Sequence, residues 1–177
     1  MSPTSYQGPR ASDMKRVRTY TQNQASNLGR PDNHATVADI LAEKGGDVFA
    51  VSPGDTVAKA LGVLKDNRIG AVAVVGESND LRGILSERDI IATLDMDSTD
   101  WLGGTVKDVM TADPITCKPD EVLLSVLRTM TDGNFRHMPV VDGDGKMVGL
   151  ISIRDVVRKR LSELEYEALR LKQMIVG

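Results

Sequence analysis

The sequence predicts an α/β fold in which one strand–helix–strand–strand–helix unit occurs twice and the two copies pack with pseudo-two-fold symmetry. The main observation is a repeated phrase: Gly83–Asp89 (GILSERD) recurs 66 residues later as Gly149–Asp155 (GLISIRD). The same offset places Pro53 on Pro119, with no gap between these prolines and the repeated phrase. A fixed internal period of this kind indicates one structural unit that is built twice.

Each unit is predicted to contain a strand, a helix and two further strands joined by a tight polar turn. Apolar residues recur at helical spacing in each helix, and turn residues separate the paired strands. In the first unit these elements occupy residues 48–52, 56–67, 71–75 and 81–85. In the second unit they occupy residues 114–118, 121–132, 138–141 and 147–151. A second helix then begins at the serine of each repeated phrase.

A short helix is predicted ahead of each unit. Thr36 and Thr105 stand where helix N-caps are expected, because each precedes a run with apolar residues at helical spacing. The two segments match at an offset of 69 rather than 66, so the first has three additional residues. We expect these residues to lie in a Gly-containing loop at 42–47, where insertion costs little.

The last helix continues well beyond the second unit. Its apolar residues are spaced by 4, 3, 4, 3 and 4 positions, and they are Val157, Leu161, Leu164, Ala168, Leu171 and Ile175. A seven-residue repeat with charged residues around it is typical of a helix that pairs with another helix. Two interpretations are open: a contact with a second copy or a partner protein, or a helix packed along its own core.

Residues 1–35 are predicted to form a flexible basic arm. Before Val37 the chain has five basic residues against two acidic ones, in a segment rich in Ser, Thr, Asn and Gln. An arm of this kind could contact nucleic acid or an acidic surface, but its basic residues are sparse and few are flanked by aromatics. A mitochondrial transit peptide and a start at Met14 are alternatives to a simple tail.

The composition argues against several classes of function. A net charge of −3 gives no reason to expect nucleic acid as the main partner, and no apolar stretch approaches the roughly 18 residues that cross a bilayer. Two histidines, one of them His34 in the arm, form no metal-binding constellation. Cys117 and His137 lack a third orienting residue, so an enzyme is not predicted. A lone cysteine suits a reducing compartment, which predicts the cytoplasm, with the mitochondrial matrix as the alternative.

The tandem unit that ends each time in Gly-x-x-Ser-x-x-Asp resembles a CBS domain pair, also called a Bateman module. The resemblance covers about Thr36 to Arg158, and its most specific part is Phe135–Val141 (FRHMPVV) followed by the second copy of the phrase. It divides the chain into a basic arm, a first CBS repeat, a second CBS repeat and a helical extension, at 1–35, 36–103, 104–158 and 159–177.

The resemblance also implies a function. Proteins of this family are non-catalytic sensors that bind an adenine nucleotide in the cleft between the repeats and transmit its presence to a partner protein. It implies a homodimer of CBS modules and a regulatory ligand that is AMP or NADH first, with ADP, ATP and S-adenosylmethionine sharing the same adenosyl portion. The resemblance implies no required metal, and the sequence does not identify the regulated partner.

The second repeat carries residues suited to a phosphorylated ribonucleoside. Ser152 begins a helix, whose free N–H groups and positive dipole end favour a phosphate, and Asp155 could accept two hydrogen bonds from a ribose diol. Arg136 and His137 would approach the phosphate from the preceding strand. In the family pattern, the residue matching Thr116 contacts ribose or phosphate, and apolar edges near Ile115, Met138 and Pro139 enclose the base. The predicted second site comprises Thr116, Arg136, His137, Met138, Pro139, Ser152, Arg154 and Asp155.

These residues also have a purely structural interpretation. A serine followed three positions later by an acid at a helix start is a capping box, which stabilises a protein by about 0.5–2 kcal/mol without any ligand. Two adjacent basic residues aimed at the helix start are not needed for capping, and they favour the nucleotide. Without a ligand the protein would be a structural dimerisation scaffold.

The first repeat is less well equipped. Gly70 and Ala71 stand where the second repeat has Arg136 and His137, so its affinity for phosphate is expected to be lower. Arg68 or Lys44 could supply the missing charge. The weaker first site is predicted at Lys44, Ala50, Ala71, Ser86, Arg88 and Asp89.

Overall fold

The computed structural model describes residues 15–18, 35–45, 47–93 and 103–176. Its strands are β1 (Lys15–Arg18), β2 (Asp47–Val51), β3 (Ala71–Val75), β4 (Leu81–Ser86), β5 (Thr111–Ala112), β6 (His137–Val141) and β7 (Met147–Ser152). Its helices are α1 (Val37–Lys44), α2 (Val57–Asn67), α3 (Glu87–Ala92), α4 (Val106–Val109), α5 (Leu123–Asp132) and α6 (Ile153–Val176). Most of the predicted basic arm, with Met14 and His34, lies outside the described residues.

Five strands form one sheet in the order β1-β2-β3-β4-β5, and β6 and β7 form a separate hairpin. Within the sheet β2 and β3 are parallel, and the other neighbours are antiparallel. The hairpins of the two units share an irregularity: the register shifts between Val74 and Val75 in one and between Val140 and Val141 in the other. A bulge at equivalent positions confirms that the two units are copies of one structure.

Two predictions about strands are wrong. The backbone of Lys15–Arg18 is not irregular, because it pairs antiparallel with β2 and covers an edge of the sheet that would otherwise be open. Residues 114–118 do not form a strand, and only Cys117 bridges to Val140 there. Pro119 on this segment and Pro139 on β6 have no N–H to donate for the next bonds of the ladder, which stops it from extending.

The two short helices that precede the units, α1 and α4, exchange places between the repeats. Val37 and Ile40 of α1 are buried in the core of the second repeat. Val106 of α4 is buried in the core of the first repeat. The exchange is held by backbone hydrogen bonds, such as Val37 N–H donating to Glu121 O at 2.9 Å. The sequence offset groups each short helix with the strands that follow it, because an offset does not show which surface a helix covers.

The predicted loop at 42–47 is also shorter than expected. α1 continues to Lys44, and Gly45 ends it with a φ of 76°, in the region that favours glycine. The last turn of α1 is held because Ile40 is buried and Leu41 lies against Gly149 of β7. This extension matters for the site, since it carries the side chain of Lys44 to the second repeat.

A third group of buried residues joins the two repeats. It consists of small or linear apolar side chains from β2, β3 and β7: Val48, Ala50, Ala73, Val75 and Met147. Beside it the two hairpin turns are bonded to each other, since Asn79 Nδ2 donates to Met147 O at 3.0 Å and Lys146 Nζ donates to Ser78 O at 2.9 Å. The repeats are therefore fixed against each other by packing and by polar contacts.

The final helix, α6, has an anchored part and an exposed part. Near its start Val156 is buried, and Glu163 accepts a hydrogen bond from Ala35 N–H at 2.9 Å while pairing with Arg160. From Leu164 to Ile175 every side chain is exposed. This excludes the interpretation in which the heptad residues pack along the chain's own core, and it leaves a contact with a second copy or a partner.

Candidate functional site

A cleft of about 690 Å³ lies between the two repeats, at the start of α6. Its polar and charged lining comes from both halves of the chain: Lys44, Arg68, Glu87, Arg136, His137, Ser152, Arg154 and Asp155. Its apolar lining includes Leu41, Val48, Phe49, Ile69, Leu150 and Ile151. The cleft thus combines a charged end with apolar surface, which is what a ligand with a phosphate and a planar base requires.

At the charged end, Ser152 and Asp155 form the capping box that the sequence predicts. Asp155 Oδ2 accepts hydrogen bonds from Ser152 N–H at 2.9 Å and from Ser152 Oγ at 2.8 Å. Asp155 N–H donates back to Ser152 Oγ at 3.2 Å. Ser152 and Asp155 therefore cap α6, as the structural interpretation predicts. Whether Asp155 also binds a ligand depends on the other groups that contact its carboxylate.

Lys44 is the additional partner of this carboxylate. Its ammonium donates to Asp155 Oδ2 at 2.8 Å and to Leu150 O at 3.0 Å. Arg158 donates to the other oxygen, Oδ1, at 3.3 Å. Burial alone would raise the pKa of Asp155, but the hydrogen bonds from Lys44 and Ser152 outweigh it and hold that pKa below its usual value. Asp155 is therefore an anion at neutral pH although it is 8% exposed.

His137 also lines the cleft, at the start of β6, where it pairs with Ser152 of β7. Burial lowers the pKa of His137, and the positive charges of Arg136 and Lys44 lower it further. The imidazole is therefore neutral at pH 7. It packs close to Gly70, where a Cβ would lie 3.2 Å from an imidazole carbon. Gly70 thus leaves the space that the imidazole occupies.

The structure brings together five of the eight residues predicted for the second site. They are Arg136, His137, Ser152, Arg154 and Asp155. The other three are not among the described residues that line the cleft: Met138 and Pro139 are buried within β6, and Thr116 is exposed on the segment before the Cys117 bridge. The alternation of side chains along a strand explains Met138, because it points to the opposite face from His137.

The residues predicted for the first site are not assembled in one place. Lys44 and Ala71 line the cleft of the second site, and Ala50 is buried opposite Ala73 in the sheet. Ser86 and Asp89 form a capping box at the start of α3, with Ser86 Oγ donating to Asp89 Oδ2 at 2.6 Å. The exchange of the short helices explains Lys44, because α1 belongs spatially to the second repeat.

Arg88, the remaining residue of that group, donates to Asn134 O at 3.4 Å and so points across to the second repeat. Sequence reasoning missed Glu87 and the apolar wall that includes Phe49 and Leu150. Glu87 directly follows the first repeated serine, so the sequence repeat could have identified it as a candidate site residue. No sequence pattern identifies Phe49 and Leu150, because they face one cleft only when the two repeats pack together.

The sequence pattern of the CBS domain matches residues 37–95 and 106–162, which together make up more than half of the chain. The two matches correspond to the two structural repeats and include both serine–aspartate pairs. This chain belongs to the CBS-domain family. A CBS pair is the fold expected from the tandem repeat, so the fold class predicted from the sequence is confirmed.

Relatives of known description match most of the CBS pair. The chain is 34% identical over 150 residues to "CBS domain-containing protein CBSX3, mitochondrial" of Arabidopsis thaliana, covering 80% of this chain and 72% of that one. The crystal structure of a CBS-domain containing protein from Agrobacterium tumefaciens is 35% identical, with a TM-score of 0.67, and the match covers 71% of this chain and 99% of that one.

Two similar CBS pairs have been solved with adenosyl ligands. The structure of CBSX2 in complex with AMP is 27% identical, with a TM-score of 0.62, and covers 72% of this chain and 97% of that one. The CBS pair of protein MJ0100, in complex with 5′-methylthioadenosine and S-adenosyl-L-methionine, is 25% identical, with a TM-score of 0.65, and covers 73% of this chain and 98% of that one.

The described residues include no helix that is long and apolar enough to cross a membrane, and no group of three or more His, Cys, Asp or Glu side chains placed to hold a metal ion. Burial raises the pKa of Cys117 to about 12. The thiol is therefore protonated at neutral pH and unsuited to act as a nucleophile.

Proposed function

We propose that this chain is a non-catalytic regulatory CBS pair that binds an adenine nucleotide in the cleft between its repeats. The observation that carries the proposal is the meeting of a helix-start carboxylate, Asp155, with Lys44, Arg136 and His137 in one cleft. Capping explains the serine and the carboxylate. It does not explain why basic side chains from two separate segments, the end of α1 and the start of β6, line the same cleft.

The charge of the cleft favours a phosphate. Four permanent cations line it, Lys44, Arg68, Arg136 and Arg154, against two carboxylates, Glu87 and Asp155. A surplus of positive charge attracts an anionic ligand and repels a sulfonium group. AMP and NADH are therefore the preferred ligands, and S-adenosylmethionine is the alternative. The CBSX2 complex supports AMP, and the MJ0100 complex supports the alternative ligand, S-adenosylmethionine.

Binding would change the partners of Lys44. The carboxylate of Asp155 can accept a ribose diol only where its oxygens are not already occupied, and Lys44 now occupies Oδ2. A phosphate in the same cleft offers the ammonium a stronger partner than a shared carboxylate. We expect Lys44 to turn from Asp155 to the phosphate. This removes one of the three donors on Oδ2, while the two hydrogen bonds from Ser152 remain, and the vacated position can accept a ribose hydroxyl.

Through this exchange of partners, ligand binding could change the contact between α1 and α6. Lys44 is the last residue of α1, and Asp155 lies in the first turn of α6. Replacing their direct contact with contacts to a ligand alters the force between α1 and α6, and α6 carries the exposed extension. The ligand can shift the module only as far as it binds the two arrangements differently. A cytoplasmic or mitochondrial location fits this role, and CBSX3 is described as mitochondrial.

Calorimetric titration of the ligand-stripped protein with AMP, ATP, NADH and S-adenosylmethionine tests the proposal. Asp155→Ala should abolish binding of the preferred ligand. Asp89→Ala is the matched control, because it removes the equivalent capping carboxylate at the start of α3. Equal losses in both variants would indicate damage to the fold rather than to a site.

No binding of any of the four ligands would remove the proposal. The capping boxes at both helix starts would then be sufficient explanation for the repeated serine and aspartate. The chain would be a structural dimerisation scaffold, which is the second candidate. Preferential binding of S-adenosylmethionine would keep the sensor role and overturn the preference for a phosphate.

A further inference from the structure

We propose that α6 pairs with the α6 of a second copy of this chain as a parallel two-stranded coiled coil. The contact surface is the heptad seam, defined as Val157, Leu161, Leu164, Ala168, Leu171 and Ile175. Leu161, Leu164 and Leu171 are 55%, 52% and 60% exposed. A continuous apolar stripe on a projecting helix needs a cover, because exposed apolar patches of this kind mark interaction sites.

The seam faces away from the rest of the chain. Contacts from α6 to the CBS pair are made by Val156, Lys159 and Glu163. At 100° per residue, these lie on average more than 100° around the helix from the seam. A second helix can therefore lie on the seam without displacing the module. The first turns of α6 are already packed on the CBS pair, so the helix is nucleated within each chain before two chains associate.

The charges beside the seam select the orientation. With Leu161 and Ala168 at a and Leu164 and Leu171 at d, the flanking e and g residues are Arg160, Glu165, Glu167 and Lys172. In a parallel pair each g residue faces the next e residue of the other helix. Arg160 then faces Glu165 of the second copy, and Glu167 faces Lys172 of the second copy. Both pairs are attractive.

An antiparallel pair would place like charges together. When Leu161 of one helix packs against Leu171 of the other, Glu165 faces Glu165 of the second copy, and Glu167 faces Glu167. Arg158 then comes next to Lys172 of the second copy. Three repulsive contacts replace two attractive ones, so the parallel arrangement is preferred. The complementarity is that of one sequence with itself, which identifies the occupant as a second copy rather than another protein.

Cross-linking of the full chain tests both the seam and its orientation. In a parallel coil Leu171 meets Leu171 of the second copy, so the variant Leu171→Cys should form a disulfide-linked dimer on mild oxidation. The natural Cys117 does not interfere, because it is buried and its pKa is raised to about 12. In an antiparallel coil, only a mixture of Leu161→Cys and Leu171→Cys chains should cross-link.

Two matched substitutions make the test specific. Leu164→Asp in the Leu171→Cys background should cause loss of the cross-link, because it places a charge in the seam. Leu169→Asp should leave it unchanged, since Leu169 is 54% exposed but lies off the seam. No cross-link with Leu171→Cys, a cross-link that survives Leu164→Asp, or cross-linking only in the mixture would each overturn the proposal.

A charge exchange gives a second readout that does not depend on cysteine. Glu167→Lys should increase the dissociation constant of the dimer in sedimentation equilibrium, because it faces Lys172 of the second copy. Adding Lys172→Glu to the same chain should restore the wild-type value. Failure of the double variant to recover would contradict the parallel pairing. Neither readout uses a nucleotide, so the result is independent of the proposed function.

Discussion

Replacing Lys44 with methionine removes the ammonium that joins α1 to α6 and keeps a side chain of similar length. In the structure this ammonium donates to Asp155 Oδ2 at 2.8 Å and to Leu150 O at 3.0 Å. The Asp155 side chain is 10% exposed, whereas the Lys44 side chain is 37% exposed. Lys44→Met therefore leaves a nearly buried carboxylate with fewer donors.

The size of the effect follows from these exposures. A hydrogen bond to a charged group contributes about 1.5–3 kcal/mol, and solvent screening at the half-exposed lysine reduces that contribution. Asp155 also keeps its hydrogen bonds from Ser152 and from Arg158. We expect Lys44→Met to lower the free energy of unfolding by about 1–2 kcal/mol. At 177 residues this corresponds to a fall in Tm of about 2–8 °C.

Urea and thermal unfolding at pH 7 measure this loss, and Lys59→Met is the matched control. Lys59 pairs with Asp55 at 2.9 Å and its side chain is 36% exposed, but the Asp55 side chain is 21% exposed and the two residues are only four positions apart. A local pair of this kind contributes about 0.3–0.5 kcal/mol. Equal effects of Lys44→Met and Lys59→Met would refute the reasoning that burial of the carboxylate gives the Lys44 contact its weight.

The same variant has a pH signature. Lys44 helps to hold the pKa of Asp155 below its unfolded value, so this contribution to stability is present above about pH 4 and is lost as the pH falls through the lowered native pKa. The wild type should therefore lose more stability than Lys44→Met between about pH 5 and pH 3. Parallel stability curves for the two proteins over this range would contradict the assignment.

Three further predictions concern buried positions. Burial, with two neighbouring cations, lowers the pKa of His137. The contribution of the neutral imidazole to stability is therefore present above about pH 6.5 and is lost as the pH falls through the native pKa. Between pH 7 and pH 5 the urea midpoint should drop less in His137→Gln than in the wild type. Cys117, with its pKa raised to about 12, should not react with a thiol reagent at pH 8 in the native protein but should react fully in urea, and rapid native labelling would contradict its burial. Gly149→Ala should cost about 1–3 kcal/mol because its Cβ would overlap Leu41, whereas Gly143→Ala, with nothing within 4 Å, should be neutral; equal midpoints would show that α1 yields freely.

Much of the fold could be predicted because the relevant signals are local. Strand β3 occupies the predicted residues, and the helices at 57–67 and 123–132 begin within two positions of their predicted starts. The serines of the repeated phrase begin helices as expected, since capping depends only on residues three positions apart. The strand at 15–18 could not be predicted, because its pairing with β2 is a long-range contact in a segment without periodicity.

The candidate site was predictable only in the half that comes from one segment of chain. His137, Ser152 and Asp155 lie on a hairpin and the helix after it, so their proximity follows from short connections. Lys44 lies 111 positions before Asp155 and reaches it because α1 packs on the second repeat. No sequence period shows this exchange, which places Lys44 beside the residues predicted for the second site.

The sequence by itself determined that this protein is a duplicated α/β unit of the CBS family, with a helix-start serine and aspartate in each copy and a heptad seam at its end. These features are written in spacings of two to seven residues and in an offset of 66. Only the tertiary structure decided which short helix covers which repeat, that Lys44 holds the carboxylate of Asp155, and that the seam is exposed. Each of these depends on which apolar surfaces are buried together, and burial is a property of the assembled chain rather than of any one segment.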